Sequence, residues 1–209
     1  MKKNLISMET FVGAGGSYLG LKKAGFKTIY VNEIDKNFTK TLVHNNKKDL
    51  ENCIVDIRPI ENVDFKGVRK KLNLKKKSLD LIFGGPVCKG YSLAGVRDPS
   101  DSRNTLYRHQ IRMISEFLPK ISIIENVPAM RTSLILKSGI EKKKLKEISY
   151  VWKQLDIFKG IKAKLTKEGK KLSKKELKNY NLIKSKKKKF EEFVKNNSLS
   201  VIEDIKILL

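Results

Sequence analysis

Leu5-Ile6-Ser7-Met8-Glu9-Thr10-Phe11-Val12-Gly13-Ala14-Gly15-Gly16 is the stretch that decides the fold. Leu5–Phe11 reads as a first core strand, and it runs straight into a glycine turn. A helix is expected from Ser17 to Ala24, with Gly25 in the stop position. Glycines let the backbone turn tightly and approach a ligand, and the helix that follows offers its N-terminus to an anionic group. Strand, glycine turn and helix in that order predict the first unit of an α/β sheet, although many such turns are merely tight βα connections.

The alternation continues outward from that unit. Thr28–Val31 is a β-branched strand ending at Asn32-Glu33-Ile34-Asp35, followed by a helix around Asn37–Asn45. Strands around Cys53–Val55 and over Leu79–Phe83 end in Asp56 and in Gly84-Gly85-Pro86. Tyr107–Leu118 has helical spacing, and Ile121–Ile124 reads as a further buried strand ending in Glu125-Asn126. Such alternation predicts an α/β fold with a Rossmann-like, doubly wound, mostly parallel sheet. Polar and glycine residues gather immediately after the strands, where the ligand crevice of an open α/β sheet lies. Glu33, at the end of the second strand, is placed to accept both hydroxyls of a ribose, so the turn with Glu33 and then Asp56 at later strand ends points to an adenosine-containing ligand.

Composition limits the alternatives. The chain has 209 residues, 40% hydrophobic and 33% charged, enough for a real core and one domain with an appendage. Two cysteines are too few for a disulfide scaffold or a zinc cluster. No apolar run approaches the roughly 18 residues of a spanning helix. Glu9 interrupts the apolar stretch after Met1-Lys2-Lys3, so a signal peptide is not read and the chain is expected to be cytoplasmic, with reduced thiols.

The net charge of +24 is a footprint for polyanions, nucleic acid first. Residues 137–195 concentrate it, with 21 lysines against 7 acidic side chains. Leu145, Ile148, Trp152 and Leu155 mark a helical face there, and Ser173 with Glu176 forms a capping-box pattern. The expected organisation is a catalytic domain over 1–136, a lysine-rich helical insertion over 137–195, and a terminal amphipathic helix over 196–209 that returns to the catalytic domain or docks a partner.

Two residues stand out as chemical groups. Cys88 lies in Gly84-Gly85-Pro86-Val87-Cys88-Lys89-Gly90-Tyr91-Ser92, a glycine-flanked loop where the adjacent Lys89 would favour a thiolate. Glu125, an acid expected to be buried at a strand terminus, is either satisfied locally or held for proton work. Cys53, beside Ile54 and Val55, is assigned to the core. His44 and His109 lack ligand spacing, and no metal site is read.

The ordered set Phe11-Val12-Gly13-Ala14-Gly15-Gly16, Glu33-Ile34-Asp35, Asp56-Ile57-Arg58, Gly84-Gly85-Pro86-Val87-Cys88 and Glu125-Asn126-Val127 resembles the motifs of the cytosine-C5 DNA methyltransferases. Gly95-Val96-Arg97-Asp98-Pro99 and Ser102-Arg103-Asn104 are similar to that family's mobile loop after the nucleophile. The resemblance spans about residues 5–130. It implies the S-adenosylmethionine-dependent methyltransferase fold, with Cys88 as the nucleophile that adds to C6 of a flipped-out cytosine and Glu125 holding the base at N3 and the exocyclic amine. It further implies S-adenosylmethionine over Phe11, Gly13, Gly15, Gly16 and Pro86, its ribose on Glu33 and its adenine near Ile34, Asp56 and Ile57. Ser92, Arg97 and Arg103 would contact duplex DNA.

The sequence departs from the family pattern in places. Val87 replaces the proline usual before the nucleophile and Lys89 the usual glutamine, while Glu9 stands where an aspartate is more usual. No arginine motif follows Val127, and neither a target-recognition region nor the closing C-terminal motif is found. The stripe Val201–Leu209 resembles the helix that precedes the arginine motif. The leading expectation is one part of a split or truncated methyltransferase, with a second polypeptide supplying recognition. An inactive remnant, or a non-catalytic cofactor- or nucleic-acid-binding protein of the same fold, is the alternative.

Overall fold

A computed structural model describes residues 5–88, 90–91 and 96–209. They divide into two compact units. One is built from Met1–Val87, Thr105–Asn126 and Leu208–Leu209, the other from Cys88–Asn104 and Val127–Ile207.

The first unit contains β1 (Leu5–Thr10), α1 (Gly16–Lys23), β2 (Phe26–Asn32), α2 (Lys36–Asn45), β3 (Ile54–Asp56), α3 (Phe65–Lys71), β4 (Leu81–Gly84), α4 (Tyr107–Phe117) and β5 (Ile121–Ile124). Its five strands are ordered β3-β2-β1-β4-β5 and every neighbouring pair is parallel. From central β1 the chain moves out through β2 to β3, then returns to β4 on the other side. The gap between the carboxyl ends of β1 and β4 is therefore the topological switch point, where open α/β sheets bind ligands.

Side-chain alternation along the strands builds a core on each face. Met8, Tyr30 and Ile82 pack with Phe65 and Val68 of α3 and Met113 and Phe117 of α4. Val31 faces the other way and packs with Val12, Tyr18 of α1 and Leu42 of α2. The expected strands and helices are thus present, with two corrections. The first strand stops at Thr10, and Phe11 takes φ 57°, the left-handed region that a non-glycine side chain seldom enters. β5 was expected to be buried, yet it is the outer strand of this sheet and its Ile121 and Ile123 are exposed.

The second unit holds β6 (Leu134–Leu136), α5 (Lys142–Lys167), α6 (Lys174–Asn196) and β7 (Ser198–Ser200), followed by α7 (Val201–Leu208). The Ser173 hydroxyl accepts from the Glu176 N–H while the Glu176 carboxylate accepts from the Ser173 N–H, so the capping box starts α6 as its sequence implies. Ile148, Val151, Trp152 and Leu155 of α5 and Ile183 and Val194 of α6 make this unit's own core. Short β6 and β7 pair antiparallel, a ribbon for which three-residue runs gave no readable sequence signal.

The middle of β1 carries an ionisable group inside the fold. Glu9 is fully buried, and its carboxyl accepts from the Ser17 hydroxyl at 2.7 Å and from Thr28 at 3.4 Å. Burial pushes its pKa from 4.5 to about 7, against the smaller opposing effect of those two hydroxyls. A carboxyl whose folded pKa lies above its unfolded value favours folding most below the unfolded pKa. That contribution is lost as pH rises through about 7. Glu9→Gln should therefore match the wild type in urea unfolding at pH 4.5 and exceed it at pH 8 by about 3 kcal/mol, since each tenfold change in proton affinity is worth about 1.4 kcal/mol.

Candidate active site

Register places the candidate residues in one line. Asp56, Asn32, Thr10, Gly84 and Ile124 pair side by side across the sheet. The next residue on each strand, Ile57, Glu33, Phe11, Gly85 and Glu125, therefore forms a row along the carboxyl edge. With about 4.8 Å between strands, that row is about 19 Å long.

Glu33 crosses from β2 to the glycine turn. One carboxylate oxygen accepts the Gly13 N–H at 2.9 Å and the other accepts the Asp35 N–H at 2.8 Å. Each oxygen has a second lone pair, so capacity for ligand hydroxyls is left. Gly13 and Gly15 have φ 57° and 100°, and a Cβ at Gly15 would stand 2.6 Å from Leu42 Cδ1. A Cβ at Gly13 or Gly16 would meet no heavy atom within 4 Å, so that side of the turn is open. Ile34 is 61% exposed and Ile57 48% exposed, giving apolar surface at the ends of β2 and β3.

Asp56 is buried and committed inward. Its carboxylate accepts from Tyr30 Oη at 3.1 Å and from Arg58 Nε and Nη2 at 2.9 and 2.6 Å. Burial raises its pKa, but the Arg58 and Tyr30 hydrogen bonds outweigh that and the net shift is downward. Asn32, which sequence reading passed over, donates to the carbonyls of Asp56 and Arg58 at 3.1 and 2.9 Å and fixes the exit of β3. An asparagine at the last position of a strand was the available signal.

At the ends of β4 and β5, the Glu125 N–H donates to the Gly84 carbonyl at 2.9 Å, and Asn126 Nδ2 donates to the Pro86 carbonyl at 2.7 Å. A Cβ at Gly85 would stand 3.0 Å from Glu125 Oε2, and one at Gly84 would collide with Thr10 and Gln110. Glycine is what lets the Glu125 carboxylate lie against this loop. Glu125 itself is exposed, which corrects the expectation of a buried acid. Its place is the solvent edge of an outer strand. Gln110 is a second residue missed from sequence: fully buried on α4, it donates to the Ile123 carbonyl at 3.0 Å and backs Gly84.

Cys88 begins the second unit and is exposed. Its carbonyl accepts the Tyr91 N–H at 2.9 Å. Buried Tyr91 donates its hydroxyl to the Asn104 carbonyl, and Asn104 Nδ2 donates to the Asp98 carbonyl at 2.9 Å, which ties Tyr91 and Asp98 to one asparagine. Arg97 is exposed with φ 51°. Arg103 pairs with Asp101 at 2.6 Å, which holds the Asp101 carboxyl below its ordinary range. Lys89 and Ser92 lie outside the described residues. Cys53 contrasts with Cys88: it packs beside Val55 against the Val12 cluster, and burial pushes its thiol up to about 12. Among the described residues no group of three or more His, Cys, Asp or Glu side chains could hold a metal ion.

Residues 5–155 match the sequence profile of the C-5 cytosine-specific DNA methylases. The chain belongs to that family. It is 36% identical over 121 residues to the Type II methyltransferase M.AgeI of Thalassovita gelatinovora, covering 58% of this chain and 27% of that protein. Identity to the Type II methyltransferase M.PspPI of a Psychrobacter species is also 36%, over 162 residues, covering 74% and 35%. A solved Escherichia coli prophage structure, described as a DNA modification methyltransferase, is 26% identical at a TM-score of 0.49, covering 71% of this chain and 37% of that one. The chain thus spans about a quarter to a third of these curated relatives' length. Among its described residues no helix is long and apolar enough to cross a membrane.

The two ends of the glycine turn should respond differently to a methyl group. Gly15→Ala forces a left-handed backbone and a contact with Leu42, and should cost about 2–4 kcal/mol in urea unfolding. Gly16→Ala has open space and helical backbone, and should leave unfolding within about 0.5 kcal/mol of wild type.

Proposed function

We propose that this methylase transfers a methyl group from S-adenosylmethionine to C5 of a cytosine in duplex DNA, through a covalent Cys88 adduct. The observation that carries this reading is the row of Phe11, Glu33, Ile57, Gly85 and Glu125 over the switch point, in a chain of the C-5 cytosine-specific family.

The residues present suit an adenosine-sized cofactor. Glu33 supplies carboxylate lone pairs for ribose hydroxyls, exposed Ile34 and Ile57 supply flat apolar contact for an adenine, and Gly13 and Gly16 leave the backbone approachable. Phe11, Gly15 and Pro86 frame the same surface, and Asp56 shapes it from below through Tyr30 and Arg58. When bound, S-adenosylmethionine supplies an electrophilic methyl group on a sulfonium.

The chain's own work is on the base. Cytosine C5 is a weak nucleophile, and the Cys88 thiolate corrects this by adding its sulfur to C6, which makes C5 enamine-like. Glu125 holds N3 and the exocyclic amine and stabilises the charge that develops there. After C5 takes the methyl group, its proton leaves to a base. The sulfur–C6 bond then breaks with its electrons returning to Cys88, restoring the ring double bond. A cytosine stacked in a duplex is out of reach, so the target nucleotide leaves the stack. Arg97 and Arg103 supply phosphate contacts. Arg103 is released cheaply for this, because an exposed pair such as Arg103–Asp101 is worth about 0–1 kcal/mol.

The reading includes a second polypeptide that carries target recognition. Labelled methyl transfer to duplex DNA, measured with this chain alone and with the product of the adjacent reading frame, should appear only in the mixture.

DNA carrying 5-fluorocytosine tests the adduct, because fluorine at C5 cannot leave as the proton does. With the product of the adjacent reading frame present, a denaturant-stable protein–DNA complex is expected with wild type and with Cys53→Ser, and none with Cys88→Ser. Cofactor affinity of Cys88→Ser should stay within about threefold of wild type, a difference under about 0.7 kcal/mol. An adduct that persists without Cys88 would refute the assignment.

A further inference from the structure

The second unit carries a charged feature that the methyl-transfer reading does not use. A groove of about 820 Å³ runs between α5 and α6, walled by Lys143, Lys144 and Lys146 on one helix and Lys186 and Lys189 on the other. Tyr150, Phe190 and Phe193 make its apolar lining. Residues 186, 189, 190 and 193 recur at helical spacing, so α6 turns one continuous lysine–phenylalanine stripe toward the groove.

This arrangement differs from an ordinary solvated face. Beside the groove, Lys187 of α6 has an acidic neighbour in Glu191 at 3.0 Å. In the groove one acid, Glu147, faces five lysines and pairs with Lys144 alone, at 3.9 Å. Lys143, Lys146, Lys186 and Lys189 are exposed and have no acidic partner among the described residues. Lys144 instead lies over the rings of Phe190 and Phe193, at 4.8 and 5.3 Å from their centroids. Such contacts hold a cation at an apolar surface without neutralising it. Four like charges gathered on a rigid two-helix scaffold repel one another, and a polyanion relieves that repulsion.

We infer that the α5–α6 groove is a phosphate-backbone clamp for duplex DNA, gripping the substrate by its strand charge independently of base sequence. The choice of DNA among polyanions rests on the proposed function. The lysines reach phosphate oxygens as point charges, and each phosphate neutralised releases condensed counterions, so the grip weakens steeply with salt.

The test is fluorescence-anisotropy titration of a 30-base-pair duplex across a salt series, with circular dichroism confirming helix content. Two variants of equal charge are compared: Lys143, Lys146, Lys186 and Lys189 all to Gln in the groove, and exposed Lys167, Lys174, Lys175 and Lys178 all to Gln near the α5–α6 connection. At about 0.9 per phosphate contact, the slope of log affinity against log salt should fall in magnitude by about 3 to 4 in the groove variant. It should change by less than about 1 in the other. Equal losses in both variants would mean diffuse charge and would overturn the clamp, as would an unchanged slope in the groove variant. Tighter binding of duplex RNA or of polyglutamate than of duplex DNA would overturn the DNA assignment. Adduct formation with 5-fluorocytosine DNA at saturating concentration, with the product of the adjacent reading frame present, is scored in parallel. The groove variant should still form it, so loss of the clamp and loss of the catalytic reading give separate results.

Discussion

Everything at the candidate site follows from the parallel pairing of β1 with β2 on one side and β4 on the other. That pairing aligns Thr10 with Asn32 and with Gly84. A slip of one residue would turn Met8 away from the core it shares with Tyr30 and Ile82 and drive Glu9 into an apolar layer. The hydrophobic core thereby fixes, at a distance, which side chains stand along the carboxyl edge. Glu33 reaches Gly13, and Glu125 rests on Gly85, because the strands beneath them cannot shift independently.

The acids of the first unit divide by how that scaffold treats them. Glu9 is desolvated with only hydroxyl partners, so its proton is held up to about pH 7. Asp56, also buried, has a guanidinium and a phenol, and keeps its charge. Glu33 and Glu125 sit above the sheet, where water or a ligand can reach them. Buried acids thus build the floor, and acids at the edge stay accessible.

Much of this was legible in the sequence. The alternation of apolar runs with glycine and acidic punctuation located the strands of the first unit along the chain and the polar residues just beyond them, because strand period and turn chemistry are local properties. What was not legible depended on tertiary placement. Ile121–Ile124 reads as a buried strand from its composition, and only the sheet order reveals an outer strand with Ile121, Ile123 and Glu125 exposed. Gln110 and Asn32 are single polar residues whose partners are carbonyls brought in by other segments. The inward turn of Asp56 depends on Tyr30, 26 residues earlier, and no spacing rule announces it. The lysine excess was plain from counting, but the gathering of five lysines on one groove required the pairing of α5 with α6.

The hydrogen bonds of Glu33 have a mechanical meaning. Its carboxylate accepts from Asp35, and the Asp35 carboxylate in turn accepts from Asn37 and Phe38 at the start of α2. The same α2 sends Leu42 beneath Gly15, so turn, strand end and helix close into a ring of contacts. Whatever steadies Glu33 from above steadies the first turn of α2, and that helix steadies the glycine turn from below. The surface at the ends of β1 and β2 therefore behaves as a single spring rather than as separate loops, stiffening as a whole when any one part of it is held.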